Sequence, residues 1–130
     1  MEMAMILGVG VDLVENERIE KIISKWGWKF LERVFCTAEV NYCSKHVQAS
    51  LHYAARFAAK EAFLKAMGIG MGRGVRLKDV EVAHDANGKP LIIAHGGAAE
   101  QVKKNRITKI HLSITHTKQY AAAFLILEKE

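Results

Sequence analysis

The chain has 130 residues, half of them hydrophobic and a quarter charged, with a single proline, Pro90. A chain this long makes one domain that buries roughly two-thirds of its unfolded surface without help from disulfides or zinc, and its composition excludes a disordered, collagen-like or low-complexity protein. Lys and Arg outnumber Asp and Glu by 19 to 14, a net charge of +5, which favours an acidic or polyanionic partner without choosing among nucleic acid, a phosphorylated ligand and an acidic protein.

The longest apolar run, Tyr120 to Leu127, falls well short of the roughly 20 residues that a bilayer demands. Met1 to Val14 carries Glu2 and Asp12 and has no basic region before its apolar stretch, so it does not read as a signal peptide. The expectation is a soluble, cytoplasmic protein. Cys36 and Cys43 have no Cys or His at zinc-finger spacing and are expected as two free thiols in a reducing compartment.

In chain order, Ile6 to Val14 predicts a strand with Leu7, Val9, Val11 and Leu13 on one face and Gly8, Gly10 and Asp12 on the other. Glycines inside a strand mark close approach by a ligand or another backbone. Ile19, Ile22, Ile23 and Trp26 then recur at helical spacing behind Asn16 as a cap, with Arg18, Lys21 and Lys25 on another face and Gly27 ending the helix. Phe30, Leu31, Val34 and Phe35 continue helically to Cys36, and Thr37 is placed to cap a short helix through Val40 and Cys43.

The clearest helix runs from about Ser50 to Met67, rich in alanine, with Gly68 at the position of a left-handed C-cap. The glycine-rich stretch 68–74 is expected to be a mobile loop. Val80 and Val82 predict a short strand, Asn87-Gly88 a two-residue type I′ hairpin turn, and Leu91 to Ala94 the returning strand. A short helix over Gly96 to Asn105 precedes a strand with Ile110, Leu112 and Ile114 on one side, a turn at Thr117 to Gln119, and a last apolar strand from Tyr120 to Leu127. The sum is one α+β domain over residues 1–130: an N-terminal strand, a helical middle and antiparallel C-terminal strands.

Few of these residues point to chemistry alone. Asp12 is a carboxylate beside glycines, which ordinarily starts a turn. Glu61 and Lys65 stand one helical turn apart and would ordinarily make a surface ion pair worth about 0.2–0.5 kcal/mol. Their surroundings argue against that reading, because flanking alanines leave little bulk around them. Asp12 and Glu61 together suit Mg²⁺, which takes one or two carboxylates and completes its octahedron with water and phosphate oxygens. Lys60, Lys65 and the 68–74 loop are groups that a phosphate ligand needs nearby, although no Walker motif is present. His116 closes the Ser113-Ile-Thr-His-Thr117 segment, a junction suited to a phosphate or a nucleotide edge. His46, His52, His84, His95 and His111 show no metal-ligand spacing and are expected as surface or core residues.

Taken together these segments resemble the holo-[acyl-carrier-protein] synthase family, the small 4′-phosphopantetheinyl transferases of fatty-acid synthesis. The resemblance is carried by Gly8-Val-Gly-Val-Asp-Leu-Val14 with Arg18, Phe30 to Glu39, Ala55 to Ala66, the Gly68–Gly74 loop, Asn87-Gly-Lys-Pro90 and Ser113 to Thr117. It spans nearly the whole chain in family order and implies transfer of 4′-phosphopantetheine from coenzyme A to a serine hydroxyl of apo-acyl carrier protein, releasing adenosine 3′,5′-bisphosphate. It further implies a homotrimer with active sites at subunit interfaces, and Asp12 and Glu61 as Mg²⁺ carboxylates. Lys65 would lie near the pyrophosphate. Arg56, Lys60, Asn87, Gly88, Lys89, Pro90, His116 and Thr117 would line the coenzyme A pocket, some reaching in from a neighbour.

Acyl carrier proteins are acidic, so Arg18, Lys21 and Lys25 become a docking face. No nucleic acid or membrane partner is expected. Three rival readings differ in what they predict: a basic nucleic-acid-binding module, a non-catalytic coenzyme A-binding protein, and a transferase acting on polyketide or peptide synthase carriers.

Overall fold

The computed structural model describes residues 3–70 and 74–130. Strand β1 (Met5–Glu15) leads into helix α1 (Asn16–Trp26), which Gly27 ends at φ 54° with its N–H on the Ile23 carbonyl at 2.7 Å. Two short helices, α2 (Trp28–Val34) and α3 (Thr37–Ser44), precede the long α4 (Ala49–Met67), closed by Gly68 at φ 71°. A 3₁₀ turn (Leu77–Asp79) opens the ribbon β2 (Val80–His84) and β3 (Pro90–Ala94), followed by α5 (Gly96–Lys104), β4 (Ile107–His116) and β5 (Tyr120–Lys129). The main sheet has the order β1-β5-β4, antiparallel throughout, and β2-β3 is a separate antiparallel pair. The architecture is α+β, with an N-terminal strand, a helical middle and antiparallel C-terminal strands.

The main sheet and α4 make the core. Ala121, Ala123, Leu125 and Leu127 of β5 face Ala58, Ala62, Phe63 and Ala66 of the helix, all of them buried. The glycines of β1 allow the helix to come this close. A Cβ on Gly8 would stand 1.8 Å from the Ala66 carbonyl oxygen, and one on Gly10 would stand 1.9 Å from that of Ala62. Backbone is therefore what approaches them, and the glycine face points inward. The opposite face of the sheet is left open, with Val9 50%, Val11 59%, Leu13 65% and Phe124 46% exposed. Among the described residues no element covers this apolar face.

Four local expectations are corrected. Asn16 is the first residue of α1 rather than a side-chain cap, and its Nδ2 donates instead to the carbonyls of Thr117 and Lys118 at 3.0 Å each, tying α1 to the β4–β5 turn. Phe35 is extended, so α2 ends at Val34. The cap of α3 is Cys36, whose N–H donates to Glu39 Oε1 at 3.0 Å, because Glu39 three residues into the helix can reach back where Thr37 cannot. Asn87-Gly88 is not a two-residue turn. The loop spans 85–89, Gly88 alone adopts positive φ (82°), and Asp85 Oδ1 accepts from the Asn87 and Lys89 amides at 2.8 and 2.9 Å. A three-residue turn with a glycine bulge outcompetes type I′ here because the Asp85 side chain satisfies the loop's own N–H groups.

Within the expected 68–74 loop, residues 71–73 lie outside the described residues. Cys36 and Cys43 are both free, and burial pushes the Cys43 thiol up to about 12. Among the described residues, no helix is long and apolar enough to cross a membrane.

Candidate functional site

The close contact of β1 with α4 sets Asp12 against the helix face that carries Glu61 and Lys65. Lys65 Nζ donates to Asp12 Oδ1 at 2.9 Å and to the Val11 carbonyl at 3.1 Å. Among the described residues Glu61 makes no ion pair. Burial, and after it the charge of Asp12, pushes its carboxyl above the usual range, while Lys65 and Arg18 pull it back. Arg18 on α1 is thus part of the same electrostatic neighbourhood. Two carboxylates thus meet at a partly open edge with one directly bonded ammonium, while Arg18 acts on Glu61 without a direct bond, and the two sets of carboxylate oxygens suit a divalent cation.

Among the described residues, no three His, Cys, Asp or Glu side chains form a cluster able to hold a metal. Two carboxylates with space for water and phosphate oxygens fit Mg²⁺ and do not fit a structural zinc site. In the metal-free state Lys65 supplies the positive charge on Asp12.

A second group gathers on another side of α4. Arg56 is only 4% exposed. Its guanidinium carbon lies 4.2 Å above the Tyr42 ring, and one terminal nitrogen is 3.4 Å from His84 Nδ1. Among the described residues no carboxylate pairs with it, and its Nε has no partner. Tyr42 is ringed by His46, His52 and His84 at centroid distances of 4.8, 5.9 and 5.2 Å. His116, at the end of β4, stands 6.4 Å from His52. Pro90 pairs with His84 across the ribbon, and Asn87, Gly88 and Lys89 lie in the loop that joins the two strands. Thr117 contributes its hydroxyl to the turn itself, accepting from the Gln119 and Tyr120 amides at 3.2 and 3.0 Å.

Arg56 and Glu61 are five residues apart, which at about 100° per residue places them about 140° apart around the helix axis. Arg56 therefore faces α3 and β2, and Glu61 faces β1. The two groups do not open into one pocket within a single chain.

Lys60 is a correction. Proximity in sequence suggested a phosphate ligand, but its side chain is 0% exposed and all three ammonium protons are used: on Glu39 Oε1 at 2.7 Å, the Leu77 carbonyl at 3.0 Å and the Val80 carbonyl at 2.6 Å. Glu39 also takes the Val82 amide at 3.0 Å. This buried pair joins α3, α4 and β2 and leaves nothing of Lys60 for a ligand. Glu39 lies inside the matched Phe30–Glu39 segment, yet its partner was invisible because 21 residues separate them.

Two carboxylates with an ammonium on one side of a helix, and an unpaired buried guanidinium on another, are the furnishings of an enzyme that handles phosphates. A family profile described as the 4′-phosphopantetheinyl transferase superfamily matches residues 8–125. The chain belongs to that superfamily and is a phosphopantetheinyl transferase. Among particular relatives, it is similar to the holo-[acyl-carrier-protein] synthase of Syntrophus aciditrophicus, 48% identical over 95% of this chain and 97% of that protein, and to that of Koribacter versatilis, 46% identical over 95% and 99%. The holo-[acyl-carrier-protein] synthase structure from Neisseria meningitidis superposes with a TM-score of 0.89 at 32% identity, covering 96% of this chain and all of that one. A Bacillus anthracis structure in complex with CoA (3′,5′-ADP) gives 0.80 at 38% identity, covering 97% and 99%.

Proposed function

We propose that this chain transfers 4′-phosphopantetheine from coenzyme A to a serine hydroxyl of apo-acyl carrier protein in fatty-acid synthesis, releasing adenosine 3′,5′-bisphosphate. The observation that carries the reading is the meeting of Asp12, Glu61 and Lys65 at the β1–α4 contact, with one directly bonded ammonium for two carboxylates. Mg²⁺ held there by Asp12 and Glu61 would neutralise charge on the bound pyrophosphate. Glu61, directly or through a water, accepts the serine proton, and a carboxyl held above its usual range is better matched to that task at neutral pH. The serine oxygen forms a bond to the pantetheine-bearing phosphorus as the bond to the bridging oxygen breaks. Lys65, free to turn from Asp12, donates to the departing phosphate.

The second group supports a site shared between subunits. Arg56, the Asn87–Pro90 loop, His116 and Thr117 from one chain would complete the centre formed by Asp12, Glu61 and Lys65 of another, since α4 turns them to different sides. The open apolar face of β1 and β5 is the surface such a homotrimer would close. Arg18, Lys21 and Lys25 are exposed on α1, and Arg18 acts on Glu61 itself, which supports docking of an acidic carrier protein beside the reacting centre. Lys21 is already paired with Glu17 at 3.1 Å and contributes less of that field. Such an enzyme works in the cytoplasm, where coenzyme A and carrier protein meet.

Intact-mass analysis of apo-acyl carrier protein with this protein, coenzyme A and Mg²⁺ tests the reading. A gain of one phosphopantetheine, absent with EDTA, is the expected result. No gain with fatty-acid, polyketide and peptide carriers alike would reject it.

A further inference from the structure

Four of the six histidines gather near Tyr42 and Arg56: His46, His52 and His84, which the sequence suggests only as surface or core residues, and His116, which the resemblance places in the coenzyme A pocket. They arrive from separate elements: His46 from the turn after α3, His52 from α4, His84 from the end of β2 and His116 from the end of β4. Two of them have hydrogen-bond partners that set the role of one ring nitrogen. Arg56 can only donate, so His84 Nδ1 accepts across their 3.4 Å contact and the ring is neutral. His46 Nδ1 lies 2.9 Å from the Tyr42 carbonyl, which only accepts, so that nitrogen carries the proton. The His46 and His52 rings are stacked with centroids 3.8 Å apart, and two imidazolium ions in that position would repel.

The surrounding charge acts in the same direction. Facing the rings are the permanent cation Arg56, the Tyr42 ring, the imidazoles themselves, and one carboxylate, Asp85 at the solvent edge beside His84. Burial, followed by the neighbouring imidazoles and Arg56, holds His52 below the ordinary histidine range. Burial and Arg56 do the same to His84, and Asp85 offsets this only in part. His52 and His84 therefore sit as neutral rings beside a buried guanidinium that, among the described residues, has no carboxylate partner.

We propose that His52 and His84 with Arg56, at the centre of this histidine cluster, form a proton-accepting site for a phosphate monoester dianion, the pair taking up a proton as that phosphate binds. This deepens the coenzyme A reading and rests on it. In that reading the attacked phosphate is held by Asp12, Glu61 and Lys65, which leaves Arg56 for a phosphate that does not react. In coenzyme A and adenosine 3′,5′-bisphosphate the group that answers this description is the ribose 3′-phosphate. Its dianion reverses the local field, raises the imidazole pKa values and draws in a proton. Binding therefore weakens as pH rises and the proton becomes harder to acquire.

Calorimetric titration of the intact protein with adenosine 3′,5′-bisphosphate, in buffers of different ionisation enthalpy, measures the proton directly. At pH 7 the uptake is expected to approach one proton per site, and affinity falls up to about tenfold from pH 7 to 8, the limit for one linked proton. Adenosine 5′-monophosphate, which lacks the 3′-phosphate, binds more weakly and takes up little. His52→Gln combined with His84→Lys keeps the nucleotide bound through a permanent charge but loses most of the uptake and flattens the pH profile. A thermal melt of that variant verifies its fold, and His52→Gln alone, which reduces the uptake, serves if the pair unfolds. Binding of the bisphosphate without proton uptake, or equal uptake with the monophosphate, overturns the proton linkage alone. Failure of the bisphosphate to bind at any pH overturns the coenzyme A reading with it.

Discussion

Gly10 of β1 and Ala62 of α4 are in direct backbone contact, so close that a Cβ on Gly10 would lie 1.9 Å from the Ala62 carbonyl oxygen. The same contact seats Asp12, two residues along the strand on the same face, beside Glu61, the neighbour of Ala62. Gly10→Ala must push the helix from the sheet, because the obstructing atom is backbone and cannot rotate away. Overpacking of this kind costs about 1–3 kcal/mol. Denaturant unfolding should show that loss, and transfer should fall further than stability explains as the carboxylates separate. A Gly10→Ala variant with wild-type midpoint and rate would contradict the geometry.

The reacting centre makes a sharper demand. Glu61→Gln removes the proton acceptor while keeping shape, and a loss of about 10²–10⁴ in transfer rate is expected. Asp12→Asn should raise the Mg²⁺ concentration needed for half-maximal transfer as well as lower the rate. Rates across a Mg²⁺ titration separate the two effects. An Asp12→Asn enzyme with unchanged metal dependence would remove Asp12 from the metal site.

Much of this centre was legible in the sequence, for identifiable reasons. The β1 alternation and the alanine-rich α4 are local patterns of period 2 and 3.6, and they appear where the periods predict. The glycines signalled a close approach, and the structure shows that the approaching group is backbone. What sequence could not show were pairings across distance. Lys60 sits beside Glu61 in the chain yet points about 100° away around the helix, into a pair with Glu39. The histidines are spread from 46 to 116 and become neighbours only when β2, β4, α3 and α4 converge. The open apolar face of β1 could not be assigned either, since alternation alone does not say which side of a strand meets the helix.

Lys60 and Glu39 provide a test that distinguishes scaffold from ligand contact. Lys60→Met strands a buried carboxylate and is expected to cost about 3–5 kcal/mol. Adding Glu39→Leu removes the stranded charge and should recover part of that loss, the remainder persisting because the Cys36 and Val82 amides and the Leu77 and Val80 carbonyls lose their partners. Thermal melts of the single and double variants check this. If Lys60→Met instead leaves stability intact and weakens coenzyme A binding, the buried pair has been misread.

The open sheet face predicts association. Val11→Asp and Phe124→Glu place charges where a partner's apolar surface would lie, and both side chains are exposed enough in the isolated chain to tolerate them. Sedimentation velocity should show the wild type as a trimer and the variants as monomers of unchanged fold. Transfer should fall with the trimer if, as proposed, a site takes Arg56 from one chain and Glu61 from another. A fully active monomeric variant would refute the shared site.

Glu61 also predicts a cost of function to stability. Its folded-state carboxyl is raised, chiefly by burial and next by Asp12, so the native chain holds this proton more tightly than the unfolded chain does. Stability therefore falls as pH rises from the unfolded pKa through the folded one, and at neutral pH the ionised Glu61 is a net burden. Glu61→Gln should raise the melting temperature of the metal-free protein at pH 7, and the gain should vanish at acidic pH, where wild-type Glu61 is protonated. The inactive variant is then the more stable one, as expected where charges are crowded for chemistry rather than for folding. A pH-independent gain would point to packing instead, and a loss at pH 7 would mean that Lys65 and Arg18 outweigh burial and Asp12.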